Sequence, residues 1–215
     1  MIYILGAGAE ARKTFNVYKD LGKLNEIGGF IEENCKREGS ELRGKKIMDA
    51  SIIHRLPKDT LFIGAMGSPG RKRWIDEIKG LGFNFDRLIH PSVEIGDFVD
   101  VGEGCIIYQG VIISCDTKIG QHTMIEINSS IGHDCKIGNF ITIAPGVDIA
   151  GNTNINDECW IGIGVKIINR RTIGKGAFLG AGAVVTKDIP GNVIAVGVPA
   201  RPIRELTKAD WEKLI

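Results

Sequence analysis

The chain has 215 residues, 43% of them hydrophobic, with 27 Lys plus Arg against 26 Asp plus Glu. That length suits one or two compact domains, and so even a charge balance argues against non-specific nucleic-acid binding, which needs a basic excess to displace counterions from phosphates. No apolar run approaches a membrane span, and the start MIYILGAGAEAR lacks the long apolar core and cleavage site of a signal peptide, so a soluble cytoplasmic protein is expected.

Residues 1–88 alternate short apolar runs with amphipathic stretches. Ile2 to Leu5 ends in Gly6-Ala7-Gly8, and the spacing predicts a helix from Glu10 to about Leu21. Gly29-Phe30-Ile31 is a second strand candidate ending in Glu32-Glu33-Asn34, and Leu61-Phe62-Ile63 is a third ending at Gly64. Arg71 to Leu81 reads as a helix with Trp74, Ile75, Ile78 and Leu81 on one face. Strands alternating with helices imply a small parallel sheet of the doubly wound kind. The turn Gly6 to Ala11 follows a strand and opens a helix, where backbone N–H groups and the helix dipole favour phosphate. It has Ala11 where GxGxxG has its third glycine, so a tight turn without a ligand stays open beside a phosphate site. Glu32 and Glu33 stand where a ribose or base edge is often held, or in a solvated loop. A sheet this small leaves no second mononucleotide unit, which favours a nucleotide-sugar over NAD.

From residue 89 the pattern changes. Seventeen aliphatic residues recur at strict six-residue spacing from Ile89 through Ile95, Val101 and their successors to Val185. Neither a helix nor an alternating strand has that period, and a repeat this short marks a β-solenoid in which each hexad is a short strand plus a corner. Gly or Ala commonly follows the aliphatic residue, as at Gly102, Gly132 and Ala150, where a Cβ would hinder a sharp corner or a close backbone approach. Small or β-branched residues lie two before it, and Cys105, Cys135 and Cys159 fall in that slot, so burial accounts for them. Cys35 and Cys115 fall outside it, and no CxxC pair suggests zinc or a redox centre. After Val185 the stretch Lys187 to Gly191 leaves the coil, and a capping-box-like Thr207-Lys208-Ala209-Asp210 starts a short terminal helix. The expected organisation is 1–88, 89–189 and 190–215.

His133 is the sharpest single residue. It lies two positions after a hexad aliphatic, on a turn or outer face, with Asp134 beside it. An imidazole suits general-base work near neutral pH and a carboxylate can fix its tautomer. An exposed histidine on a repeat is the plainer alternative.

The glycine turn, the Phe30-Ile31-Glu32-Glu33 strand end, the hexads, the Gly132-His133-Asp134-Cys135 segment and the closing Val196-Gly197-Val198-Pro199-Ala200-Arg201 resemble one family across nearly the whole chain. It is the hexapeptide-repeat sugar acetyltransferases, which include the bacillosamine-pathway N-acetyltransferases of a UDP-linked 4-amino sugar and the sialic acid O-acetyltransferases. The resemblance implies an α/β plus β-solenoid chain: a small N-terminal Rossmann-like domain, then a left-handed parallel β-helix with three hexads per coil. It implies acetyl-CoA as co-substrate, no metal, a nucleotide-sugar acceptor, and a homotrimer with the site between neighbouring subunits. By the same resemblance His133 is the base, Asp134 supports it, and Gly151 holds the thioester carbonyl through its N–H. Ile163 and Ala181 match positions along the acetyl-CoA arm, and Gly8, Ala9, Glu10, Glu32, Glu33 and Gly64 match positions lining the nucleotide-sugar pocket. The chain departs from its relatives at Thr142, where many carry a second histidine near the acyl donor, and at Glu126, where many carry Asn. Ala9-Glu10 replaces a common Gly-His, and the loop from Ala65 to Gly70 is about two residues longer than usual.

The expected activity is therefore acetyl-CoA-dependent N-acetylation of a nucleotide-linked amino sugar, a UDP-4-amino sugar by preference. O-acetylation of sialic acid or another sugar is the alternative. A carbonic anhydrase on the same kind of helix needs three histidines around zinc, and His90, His122 and His133 lack the close pair expected of one. A β-helix scaffold that binds a nucleotide or a protein without turnover is the non-enzymatic alternative.

Overall fold

A computed structural model describes residues 1–67, 70–207 and 209–210. Backbone contacts divide the chain into one unit over Met1–Leu88 and another that begins at Ile89.

The first unit is built on a six-stranded sheet. Its strands are β1 (Ile2–Leu5), β2 (Ile27–Glu32), β3 (Glu41–Leu42), β4 (Lys45–Asp49), β5 (Leu61–Gly64) and β6 (Asn84–Phe85), in the order β3-β4-β2-β1-β5-β6. All pairs are parallel except β3–β4 at one edge. The centre is apolar because β1, β2 and β5 are buried on both faces, with Ile4, Leu5, Phe30, Ile31, Phe62 and Ile63 fully inaccessible. Among the described residues its α-helices are α1 (Ala9–Asp20), after β1, and α2 (Gly70–Gly80), after β5. Trp74, Ile75 and Ile78 of α2 are buried as their spacing predicts, whereas Leu81 lies past the helix end and is exposed. Tyr18 is buried at the end of α1 and donates a 2.7 Å hydrogen bond to Asp86 Oδ2. The edge hairpin β3–β4 is absent from the sequence reading. It turns through Arg43 and Gly44, both at positive φ, the geometry of a tight two-residue hairpin turn.

The second unit is a parallel β-helix. Each hexad forms a two-residue strand ending in its aliphatic residue, giving seventeen strands from β7 (Leu88–Ile89) to β23 (Val184–Val185). Strands pair in parallel register with the strand eighteen residues on, as in Ile113↔Ile131 and Ile131↔Ile149, so three hexads make one coil. The coils stack into three flat faces. The aliphatic residues fill the interior, with Ile107, Ile125, Ile143 and Ile161 wholly inaccessible. Each such side chain contributes about 1.5–3 kcal/mol by leaving water. The small inner slot is also a bonding position. Thr117 Oγ1 donates to Gly132 O at 2.9 Å and accepts from Cys135 N at 3.1 Å, and Ser129 Oγ donates to Ala144 O at 3.0 Å. Cys159 shares that slot, and burial pushes its thiol up to about 12.

The corners divide the labour between two positions. Every sixth residue from Phe98 to Gly182, three after the aliphatic one, has a left-handed backbone. Gly, Asn and Asp fill most of these places, and the others bear a strain of about 1–2 kcal/mol each. The glycines directly after the aliphatic residue serve stacking instead: a Cβ on Gly102 would lie 2.8 Å from the backbone of Gly120 and Gln121 in the next coil.

The stretch after residue 189 stays with the helix. Ile189 bridges to Ile173, β24 (Val193–Val196) extends the eight-stranded face in parallel, and β25 (Arg201–Glu205) returns antiparallel along it. Asp210 accepts from Thr207 N and from both terminal nitrogens of Arg204, and the expected helix beyond it lies outside the described residues.

Candidate active site

His133 stands on the corner that follows β14 (Ser130–Ile131). Asp134 occupies the left-handed corner position, with φ 56°, a conformation that Asp tolerates better than most residues. Adjacent side chains in a strand point apart, but this corner brings Asp134 Oδ2 to 2.7 Å from His133 Nδ1. The carboxylate therefore engages Nδ1 and leaves Nε2 available. Both side chains are more than half exposed, 57% and 54%, so a substrate can reach them.

The register sets what lies above and below. Ile113, Ile131 and Ile149 are stacked partners, and two residues after each come Cys115, His133 and Gly151. The backbone ties this column together through Asp134 N to Cys115 O at 3.2 Å and Asn152 N to His133 O at 2.8 Å. The imidazole lies directly against Gly151, where a Cβ would come within 2.6 Å of Nε2. Glycine at 151 is thus a steric requirement of the ring's position. On the neighbouring face Asp148 accepts from Ser130 Oγ and Lys166 Nζ, and Lys166, the stronger influence, holds its carboxyl below the usual range.

The remaining acyl-donor candidates lie elsewhere on the helix. Thr142 is buried on the outer side of the eight-stranded face, in register between Met124 and Trp160. Glu126, Ile163 and Ala181 follow strands of that same face and occupy the next corner. One full side of the prism separates this corner from His133 and Gly151. Ile163 is 61% exposed there, a large apolar side chain without cover.

In the first unit the candidate residues gather at the carboxyl ends of β1, β2 and β5. Gly8 caps α1 with no side-chain bond to the first turn, Ala9 and Glu10 open the helix, and Glu10 pairs with Lys13 at 3.0 Å. Gly64 ends β5. Glu32 and Glu33 border a cleft of about 400 Å³ together with Gly6, Lys36, Arg37 and Trp74. Neither acid is unengaged: Arg37 pairs with Glu32 at 2.5 Å and Arg73 with Glu33 at 2.6 Å. Lys36, Arg37 and Trp74 are absent from the sequence-derived set, since nothing in local spacing aims a loop arginine back at a glycine turn.

His90, His122 and His133 lie on three different corners of the prism, so one chain cannot gather them around a single ion. No group of three or more His, Cys, Asp or Glu among the described residues is placed to hold a metal.

The bacterial transferase hexapeptide family (six repeats) matches residues 116–151 and 152–187, the coils that carry His133 and Gly151. Over those residues the chain is similar to the bacterial hexapeptide transferases. The chain spans only about 15% of the length of the curated relatives it matches; one is the galactoside O-acetyltransferase of Escherichia coli, 62% identical over 32 residues. Solved structures match far more of the chain. WeeI from Acinetobacter baumannii superposes with a TM-score of 0.86 at 29% identity, over 94% of this chain and 99% of that one. The acetyltransferase domain of PglB from Neisseria gonorrhoeae gives 0.84 at 25% identity over 94% and 98%, and it has also been solved with acetyl coenzyme A. PerB from Caulobacter crescentus, in complex with CoA and GDP-perosamine, gives 0.83 at 26% identity over 94% and 96%.

Proposed function

We propose that the protein is an acetyl-CoA-dependent N-acetyltransferase acting on the amino group of a nucleotide-linked amino sugar. The observation that carries this reading is the His133–Asp134 pair, with Nδ1 engaged at 2.7 Å and Nε2 lying against Gly151. In the mechanism the acceptor nitrogen attacks the thioester carbonyl carbon, and the Gly151 N–H stabilises the oxyanion. His133 Nε2 takes the proton released from the attacking amine, and Asp134 orients the ring and balances the imidazolium. Collapse of the tetrahedral intermediate expels the CoA thiolate, which the imidazolium can protonate. Ile163 and Ala181 run along the acyl-donor arm, and Thr142 takes the place of a histidine beside it.

The reading assigns residues 1–88 to a Rossmann-like nucleotide-sugar domain, 89–189 to a left-handed β-helix that carries the chemistry, and 190–215 to a C-terminal segment. Gly8, Ala9, Glu10, Glu32, Glu33 and Gly64 lie at the carboxyl ends of the parallel strands or the start of α1, where open α/β sheets bind nucleotides. PerB, solved with a GDP-linked amino sugar, supports the acceptor class. The resemblance of the sequence favours a UDP-linked 4-amino sugar within that class. In this reading the active enzyme is a cytoplasmic homotrimer, and the separation of the donor-arm corner from the His133 corner within one chain supports a site shared between copies.

The test is thiol release from acetyl-CoA against UDP-, GDP- and dTDP-linked amino sugars and sialic acid. Turnover on one amino sugar, lowered at least ~100-fold in His133→Ala, is the expected result. Unchanged activity in that variant would remove His133 from the mechanism. The galactoside O-acetyltransferase match favours a second reading, O-acetylation, and turnover confined to hydroxyl acceptors would select it.

A further inference from the structure

The two acids at the end of β2 stand where a ribose reader is expected, yet Glu32 is already occupied. Its Oε1 accepts from Arg37 at 2.5 Å, and its Oε2 accepts from Arg37 Nε at 3.3 Å and from the Cys35 thiol at 3.6 Å. The same guanidinium reaches across thirty residues of chain and donates to Ala7 O at 3.3 Å. Ala7 precedes Gly8, the N-cap of the twelve-residue helix α1, whose first turn no side chain caps. Arg37 thus spans the cleft from the end of β2 to the glycine turn.

We propose that Arg37 binds the diphosphate of the nucleotide-sugar, and that Glu32 positions Arg37 and does not read the ribose. This rests on the nucleotide-sugar reading given above. Three features argue for it. An arginine fork matches two phosphate oxygens at once, and the charge-assisted bonds it makes to them are stronger than a bond to a neutral carbonyl. The bond to Ala7 is long, so an anion arriving at the glycine turn can displace it at little cost. The uncapped N–H groups of α1 favour negative charge at the same end of the cleft, and Lys36 adds a second cation on its rim. Glu33 is paired with Arg73 and the Glu32–Arg37 pair is neutral as a whole, so the net positive charge at the cleft comes from Lys36 and the helix terminus while Arg37 supplies directed donors. With a volume of about 400 Å³ the cleft has the size of a small-molecule site.

The experiment is calorimetric titration of the full-length protein with UDP, GDP, uridine and guanosine. Arg37→Ala should weaken nucleoside diphosphate binding by about 10–100-fold, the worth of charge-assisted hydrogen bonds, and leave nucleoside affinity within about 3-fold. Arg37→Lys should fall between, keeping charge without the fork. Glu32→Gln should weaken the diphosphates and spare the nucleosides, whereas a ribose reader would weaken both. A diphosphate affinity unchanged in both arginine variants overturns the assignment while the nucleotide-sugar reading stands. A wild-type protein that binds neither diphosphate, yet acetylates a free amino sugar, overturns both together.

Discussion

Gly151 is where a single hydrogen atom decides the chemistry. Its N–H is the proposed oxyanion donor, but its lack of a Cβ is what lets the His133 ring stand where it does. The two roles can be separated. Gly151→Ala keeps the N–H and introduces a methyl 2.6 Å from Nε2, so the imidazole must move by a sizeable fraction of an ångström. Gly151 has no positive φ and the clash is with a side chain, so the fold should survive with an almost unchanged melting temperature. We expect kcat to fall about 10–100-fold, since displacements of about 1 Å carry such penalties, with KM for acetyl-CoA nearly unchanged. Wild-type kcat in Gly151→Ala would mean that the ring's observed place is not its working place. At this scale the sequence is half legible. His133 and Asp134 are neighbours in the chain and can be read together, whereas the pressure on Gly151 comes from a residue eighteen positions away and exists only once the coil is closed. Arg37 shows the same limit: its partners Glu32 and Ala7 are local and distant in turn, and only the second reveals a bridge.

Among the elements, α1 offers a test of how the first unit is held. Tyr18 is fully buried and donates to Asp86 just past β6. Burial, and then the Asp86 charge, push its ionisation well above the ordinary tyrosine range. A raised pKa means that the fold favours the protonated phenol. The contribution is complete below the unfolded value of about 10 and is lost as the pH climbs above it toward the folded value. Melting temperatures should therefore decline above about pH 10, and Tyr18→Phe should flatten that decline and cost about 1–3 kcal/mol at neutral pH, by leaving Asp86 without its donor. A Phe variant as stable as wild type, with the same alkaline slope, would show the bond to be idle. The elements that were hard to read share a physical cause. The hexad strands, β1, β2 and β5 announce themselves through buried aliphatics, while β3 and β6 are two-residue strands at the sheet edges, β6 burying only Phe85, and the five-residue β4 buries only Ile47. The left-handed corner positions are hard to see in the sequence for a different reason, because Phe98, His122, Phe140, Glu158 and Arg170 occupy them without the small or short polar chemistry that signals such a backbone.

At the scale of the molecule, the triangular cross-section sets the problem of where an acyl donor can lie. His133 and Gly151 share one corner, and Ile163 and Ala181 share the next, with a whole face between them. A donor that presents its thioester at Gly151 while its arm touches Ile163 and Ala181 is most simply accommodated if the second corner belongs to another copy. Rotational symmetry then repeats that composite site around a closed ring, three times in a trimer. The arrangement predicts complementation. His133→Ala removes the base from one corner, and Ala181→Trp should block the arm at the other, where Ala181 is exposed and a larger side chain can be borne without unfolding. Each variant alone should be inactive. When the two are co-expressed in equal amounts and assemble at random, a composite site is intact only if its His133 corner comes from the Ala181→Trp chain and its arm corner from the His133→Ala chain. Each condition holds half the time in a heterologous closed ring, so about a quarter of wild-type turnover should return. Sites built within single chains would give no recovery at all, and that outcome, read by thiol release on mixed and unmixed preparations, would return the acyl donor to one subunit.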